Sequence, residues 1–319
     1  MPFGRGGSPA TQSGVAVARQ IEVIGAAWGL GGADPGCAEA PVVLAPLLAT
    51  RLQRCGAAAL SGPMLRAEPA ERRRQQAVSK LCGQLAAAVA NAIRQGRLPC
   101  VIGGDHSCAG GTWAGVARTL RGELGLVWVD AHMDSHTPAT SHTGRLHGMP
   151  LAWLLGEDDD PLYGLAAGVV DPRRVALIGV RSFEPEEEAR LDALGVRVFH
   201  IAEVQKRGLD AVFTDALAIA TTGTEGFGIS VDLDVVTPDD APGVGTPEPG
   251  GIAGAQLAQA LRRIGGRADL LGVELVEYLP RLDPDGRSAR VAIDALAAAL
   301  CGPRDDAQIP ADAVQRENP

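Results

Sequence analysis

Hydrophobic residues are grouped along this chain in short continuous runs, and within most of these runs they do not alternate with polar residues. Such runs predict strands that are covered on both faces, as in a parallel sheet between two layers of helices. The predicted strands are Ile21–Ala26, Cys100–Gly103, Gly125–Asp130, Val175–Val180, Val196–Ile201, Gly226–Asp232 and Asp269–Val276.

Longer segments with a helical period lie between these runs. The predicted helices are Pro69–Arg94, Ser107–Leu120, Pro185–Ala193, Asp210–Thr221, Ala253–Ile264 and Arg287–Leu300. Ser107 is the expected N-cap of the second helix. Repeated strand–helix units imply right-handed crossovers, so we expect an α/β fold: a single-domain, three-layer structure with a mostly parallel central sheet. The domain is predicted to span residues 21–302, between a flexible leader (1–20) and a flexible tail (303–319).

The composition excludes several classes of partner. The chain has 319 residues, with 29 Lys and Arg against 38 Asp and Glu, and its formal net charge is −9. Nucleic acids and anionic membranes bind basic surfaces, so this acidity argues against both. No uninterrupted apolar run reaches the ~20 residues of a membrane-spanning helix. The six cysteines are scattered without a CxxC pair, which predicts reduced thiols in a cytoplasmic protein.

Histidines and aspartates are concentrated directly after three predicted strands. His106 lies in the segment GGDHS (103–107), where two glycines allow a sharp turn, and His132 lies in DAHMD (130–134). The third segment is SVDLD (230–234), with acids two residues apart. Ligands of α/β sheets bind outside the carboxyl ends of the strands, so we expect these side chains to meet there.

This set of side chains is suited to divalent metal ions. Four carboxylates, those of Asp130, Asp134, Asp232 and Asp234, would repel one another and raise one another's pKa without cations. Two ions ~3.5–4 Å apart, bridged by carboxylates, remove that repulsion. Ligands rich in oxygen and without thiolate suit Mn²⁺ better than structural Zn²⁺. We therefore predict two Mn²⁺ per subunit, although other divalent ions fit the same donors.

Together the three segments resemble those of the ureohydrolase family, the dinuclear manganese enzymes that include arginase and agmatinase. The segment TPDDAPGVGTPEPGG (237–251) extends the likeness, which runs from about Ile21 to Leu300. TPATSHTGRLHGMP (137–150) resembles the arginase branch in particular. The resemblance implies an amidinohydrolase that converts L-arginine to urea and ornithine by attack of a metal-bridging hydroxide. It also implies a homo-oligomer, either a trimer or a hexamer.

The resemblance assigns roles to individual positions. It implies that one ion is held by His106, Asp130, Asp134 and Asp232, and the other by Asp130, His132, Asp232 and Asp234. Asp134 would also orient the hydroxide. His147 matches the proton-shuttle histidine, and imidazole suits that role because it titrates near neutral pH. Glu277 matches the glutamate that pairs with the substrate guanidinium; Glu274 competes on composition alone, but the position of Glu277 before a turn with proline favours it. Thr246 matches a residue at the pocket floor.

The end of the substrate opposite its guanidinium group is predicted to carry a carboxylate. Residues 135–156 contain no Asp or Glu but carry three histidines and Arg145, and a basic loop favours a substrate with a carboxylate over agmatine. By position, His136 and Thr143 stand where the family contacts the α-carboxylate, usually with asparagine and serine. Glu184 stands where an aspartate usually binds the α-amino group. Arg145 replaces a common asparagine.

These departures leave alternatives open. Another guanidino acid or N-hydroxyarginine is a second possible substrate, because His136, Arg145 and Glu184 reshape the amino-acid end of the pocket. A catalytically silent binding homologue is a candidate of another class, but it predicts broken ligands and all six are present. A zinc deacetylase of related architecture would share part of the Asp/His pattern without explaining both GGDHS and Glu277.

Overall fold

The computed structural model describes residues 19–67, 74–156, 163–166 and 168–301. The predicted leader (residues 1–20), apart from its last two residues, lies outside the described residues, as does the tail (303–319). The same is true of the start of the predicted helix Pro69–Arg94. The predicted domain limits, 21 and 302, therefore stay a prediction.

In the described residues, eight strands form one sheet in which every pair of neighbours is parallel. Their spatial order is β2-β1-β3-β8-β7-β4-β5-β6. The strands are β1 (Ile21–Ala27), β2 (Ala59–Arg66), β3 (Leu98–Gly103), β4 (Leu124–Val129), β5 (Val175–Val180), β6 (Arg197–His200), β7 (Gly226–Asp232) and β8 (Leu270–Val276).

Helices pack on both faces of the sheet and form, with it, two buried apolar clusters. Across the described ranges they are α1 (Ala40–Arg54), α2 (Arg74–Arg94), α3 (Ala109–Ala117), α4 (Pro150–Leu155), α5 (Tyr163–Ala166), α6 (Pro185–Leu194), α7 (Ile201–Arg207), α8 (Leu209–Thr221), α9 (Gly254–Leu261) and α10 (Arg287–Cys301). One cluster includes side chains of α1, α8, α9 and α10, and the other includes side chains of α2, α3 and α4. The predicted α/β, three-layer architecture is confirmed.

The pattern of apolar residues did not predict two elements near one edge of the sheet, α1 and β2. Helix α1 was not predicted because it contains Pro41 and Pro46, which normally mark helix starts or breaks. Strand β2 was not predicted because it is partly exposed and contains Gly62 and Pro63, residues that weaken interior strands. Such residues are tolerated here because β2 is an edge strand that pairs only with β1.

Four neighbouring strands at the centre of the sheet, β3, β8, β7 and β4, bring the three polar segments together. Asp232 ends β7 opposite Val276 of β8, and Val129 ends β4 opposite Val231. All four carboxyl ends lie at the same edge because the strands are parallel, and the strand order changes direction there, as at the ligand sites of doubly wound sheets. Among the described residues, no helix combines the length and apolar character needed to cross a membrane.

Candidate metal centre

The turn after β3 places His106 at the carboxyl end of the strand and buries it completely. A Cβ atom on Gly104 would lie 1.8 Å from the carbonyl oxygen of Trp28, so the glycine is required by close approach of the backbone. Asp105 caps the short 3₁₀ helix His106–Cys108 by accepting a hydrogen bond from the Ser107 backbone. The predicted N-cap role of Ser107 is therefore wrong: its hydroxyl instead contacts the Trp28 indole nitrogen.

The segment after β4 is a loop rather than a continuation of the strand. β4 ends at Val129, and Asp130 accepts hydrogen bonds from the His132 backbone (2.7 Å) and from the Trp128 indole (2.9 Å). Asp134 has a φ of +48°, in the left-handed region that side chains other than glycine rarely adopt. The loop conformation, and not the alternation of a strand, therefore turns Asp130, His132 and Asp134 toward the site. Strained backbone of this kind is concentrated at functional sites.

Asp232 and Asp234 are presented by the turn that follows β7. Asp232 caps this turn by accepting a hydrogen bond from the Asp234 backbone at 2.9 Å. Asp234 accepts one from the Thr246 hydroxyl at 3.0 Å. Both aspartates are almost fully buried. Thr246, predicted at the pocket floor, therefore holds a carboxylate of the cluster in place.

The structure brings all six predicted metal ligands together in two groups that share Asp130. In the first group, Nδ1 of His106 lies 3.0–3.3 Å from carboxylate oxygens of three aspartates, Asp130, Asp134 and Asp232. In the second, Nδ1 of His132 lies 3.0 Å from Asp234 and 3.6 Å from Asp130. Asp232 belongs to the first group only, so its bridging role stays a prediction.

Electrostatics shows that this cluster attracts positive charge. Burial alone would lower the pKa of His106, but the carboxylates of the three aspartates beside it raise that pKa well above its usual range. Burial, Asp234 and Asp130 together raise the pKa of Asp232 well above its ordinary value. Buried carboxylates in contact are stabilised by a divalent cation that balances their charge. The oxygen-rich donor set therefore fits a metal centre.

A buried chain of hydrogen bonds prepares His106 to bind a cation. The Ser230 hydroxyl donates to Glu274 at 2.7 Å, so its oxygen must accept from Nε2 of His106, 2.9 Å away. A neutral ring thus carries its proton on Nε2, which leaves Nδ1, beside the three aspartates, as the nitrogen that can bind a cation. Orientation of a ligand imidazole by such a partner is usual in metal sites.

Sequence reasoning did not predict the supporting roles of Ser230, Glu274 and Trp128, although it weighed Glu274 as an alternative to Glu277. Glu274 is completely buried on β8 and accepts further hydrogen bonds from Thr112 and Cys108. Its presence inside an otherwise apolar strand was the one available indication, because a buried acid needs partners. Trp128 likewise donates to Asp130 and stacks on the His106 ring at 4.2 Å.

We predict that Ser230→Ala weakens metal binding by about 10–100-fold, the usual cost of removing a partner of a ligand. The variant removes the acceptor that fixes the His106 tautomer, while the six ligands remain. Competition with a chelating dye measures the Mn²⁺ affinity. Ser61→Ala, on the exposed edge strand, is the matched control. Equal affinities of the two variants would contradict the role given to Ser230.

His147 and Glu277 form a second pair beside the metal cluster. Nδ1 of His147 lies 2.9 Å from Oε1 of Glu277, and the same oxygen accepts a hydrogen bond from the His106 backbone. Glu277 has a φ of +64° and is the only non-glycine residue besides Asp134 with positive φ in the part of the chain described. Burial would lower the pKa of His147, but Glu277 outweighs it and raises the pKa to about 9.

A cavity of about 210 Å³ opens above these groups. The predicted substrate-binding residues all line it: His136, Thr143, Arg145, Glu184 and Thr246. It is also lined by His132, Asp134, His147, Asp232 and Asp234 at its base. His106, Asp130 and Glu277 lie behind that lining in the protein interior. The cavity therefore connects a metal-binding base to an outer end of mixed charge.

The chain is similar to known proteins in both sequence and fold. The sequence model of the Arginase family matches residues 19–302. An arginase of Bacillus caldovelox is 39% identical over 232 residues, which are 72% of this chain and 77% of that protein. The crystal structure of a Bacillus subtilis arginase has a TM-score of 0.84 and 32% identity, covering 90% of this chain and 99% of that one. An Entamoeba histolytica arginase, solved in complex with L-ornithine, has a TM-score of 0.82 and 25% identity, covering 88% and 98%.

Proposed function

Because this chain belongs to the arginase family, we propose that it hydrolyses the guanidinium group of L-arginine to urea and ornithine. The observation that carries this proposal is the cluster of two histidines and four aspartates at the base of a cavity that His147 also lines. Intact ligands and the adjoining His147–Glu277 pair argue against a catalytically silent homologue.

The metal is proposed to be a pair of Mn²⁺ ions. His106, Asp130, Asp134 and Asp232 would hold one, and His132 and Asp234 would hold the other together with Asp130 and, as the sequence predicts, Asp232. When bound, two such ions supply Lewis-acid activation of water at neutral pH. Asp134, next to His106 and with the pKa raised to about 6 by burial and Asp130, is placed to accept a hydrogen bond from that water.

The remaining groups bind the substrate and move one proton. Hydrolysis adds water to the guanidinium carbon and breaks the bond to the chain nitrogen, so the leaving amine must gain a proton. Nδ1 of His147 is hydrogen-bonded to Glu277, so Nε2 is the nitrogen that can donate that proton. Glu277 lies behind the cavity lining, so its pairing with the planar guanidinium stays a prediction from the sequence; Oε1 carries two hydrogen bonds, which leaves Oε2 for that pairing.

A substrate panel on metal-stripped protein tests the proposal. We expect urea from L-arginine after addition of Mn²⁺ and none before it, because an uncompensated carboxylate cluster cannot activate water. Agmatine, which lacks the carboxylate, should be hydrolysed more slowly. Refilling with Zn²⁺, Co²⁺, Ni²⁺ and Fe²⁺ in separate samples compares the metals. Absence of urea from L-arginine with every ion would overturn the assignment.

We further propose that the protein acts in the cytoplasm and assembles as a homo-oligomer, a trimer or a hexamer. The scattered cysteines support the first point, since none of the six forms a disulfide. The likeness to arginases supports the second.

A further inference from the structure

At the outer end of the cavity, Glu184 and Glu187 are the two carboxylates, and Glu187 is committed to the backbone. Oε1 of Glu187 accepts a hydrogen bond from the Ser135 backbone at 3.0 Å. Its Oε2 accepts another from the Glu184 backbone at 3.2 Å, completing the capping box of α6. Glu187 is almost fully buried, so it holds this end of the cavity in shape. Glu184 is the carboxylate left to recognise a substrate.

The side chain of His136 is hydrogen-bonded to the Glu184 carboxylate. The Thr140 hydroxyl, which accepts from the Thr137 backbone N–H, lies 3.1 Å from Nδ1 of His136. Nε2 of His136 lies 3.0 Å from Oε2 of Glu184, and Nε2 is the donor because an ionised carboxylate only accepts. The His136 side chain is only 12% exposed, against 46% for Glu184, so the imidazole is a fixed part of the wall.

The rest of the outer end is basic. Arg145 is exposed, lines the cavity and forms no ion pair with any residue in the described ranges. His142 and the hydroxyl residues Ser141 and Thr143 line the same side. An uncommitted guanidinium beside hydroxyl groups is a natural site for a carboxylate. Of the carboxylates at this end of the described cavity, Glu187 accepts two backbone hydrogen bonds and Oε2 of Glu184 accepts one from His136, whereas Arg145 has no such ion-pair partner.

We infer that the enzyme recognises the far end of its substrate through the carboxylate alone, with Arg145 as the anchor, while His136 withholds Glu184 from the α-amino group. The substrate class is then ω-guanidino carboxylates with or without an α-amino group. This inference rests on the proposed guanidinium hydrolysis, and it adds that L-arginine is one member of a wider class. A site that used Glu184 for the α-amino group would instead discriminate against an analogue lacking that group by much more than tenfold, up to about 10⁴-fold.

The test compares kcat/KM for L-arginine with that for 5-guanidinovalerate, which is arginine without its α-amino group. We expect the two values to agree within about tenfold, and agmatine to be poorer than both, since it lacks the carboxylate. A preference for L-arginine larger than this overturns the inference but leaves the proposed function intact. Urea from neither compound overturns both.

Two variants separate recognition from structure. His136→Ala frees Glu184, so we expect the preference for L-arginine over 5-guanidinovalerate to rise by about tenfold or more, and Glu184→Gln in the same chain to remove that gain. Glu184→Gln alone should leave the ratio unchanged. An unchanged ratio in His136→Ala contradicts the inference.

Arg145→Met is a further, independent variant at an exposed position where misfolding is not expected. It should raise KM for both carboxylate substrates by about tenfold or more without lowering kcat/KM for agmatine. If Arg145 had a purely structural role, the variant would lower kcat/KM for all three substrates alike. That result would overturn the role of Arg145 as the anchor.

Discussion

Asp130→Asn is expected to reduce urea formation by at least about a thousandfold. Asp130 is the one carboxylate shared by both groups of the metal cluster, and its replacement by an amide removes a negative charge from each. Lewis acids contribute several kcal/mol to such reactions, and about 1.4 kcal/mol corresponds to a tenfold change in rate, which sets this lower limit. The amide fills nearly the same space, so the fold should persist.

The measurement pairs urea release with the metal content of the purified protein. We expect Asp130→Asn to bind fewer ions per chain than the natural protein and to keep the same circular dichroism spectrum. Asp215→Asn, on the exposed surface of α8 where it pairs with Arg207, is the matched control and should keep full activity. If Asp130→Asn kept more than a tenth of the activity, the shared carboxylate would not be the centre of the site.

His147→Asn is expected to lower kcat by about 10²–10⁴-fold, the usual contribution of a general acid. The leaving amine then receives its proton from water instead of from Nε2. The asparagine keeps a polar contact with Glu277, so guanidinium binding, and with it KM, should change much less than kcat. His200→Asn, whose histidine pairs with Glu188 at a surface away from the cavity, is the control and should be unaffected.

The pH profile distinguishes proton donation from a structural role of His147. Glu277 holds the pKa of His147 at about 9, so the imidazole keeps its proton at neutral pH and loses it as the pH rises through that value. Cations bound at Asp134 lower this pKa, so we expect kcat of the natural enzyme to fall on the alkaline side, at or below about pH 9. The His147→Asn variant should lack this decrease. An unchanged profile would contradict the assignment.

Much of the site could be predicted because its residues follow strands directly. In a parallel sheet the carboxyl ends of neighbouring strands share an edge, so motifs at 103–107, 130–134 and 230–234 were expected to meet, and they do. The confirmed α/β architecture follows from the same apolar runs. Elements without such runs were missed: β2 is a half-exposed edge strand and α1 contains two prolines.

The sequence by itself determined the fold class, the family and which histidines and aspartates gather at the sheet edge. All of these depend on local patterns and on the order of strands along the chain. Only the tertiary structure decided how Ser230 and Glu274 orient His106, how Asp134 and Glu277 adopt left-handed backbone, and that His136 engages Glu184. These pairings join residues as far as 124 positions apart, and they depend on strand register and loop conformation, to which no local pattern of residues corresponds.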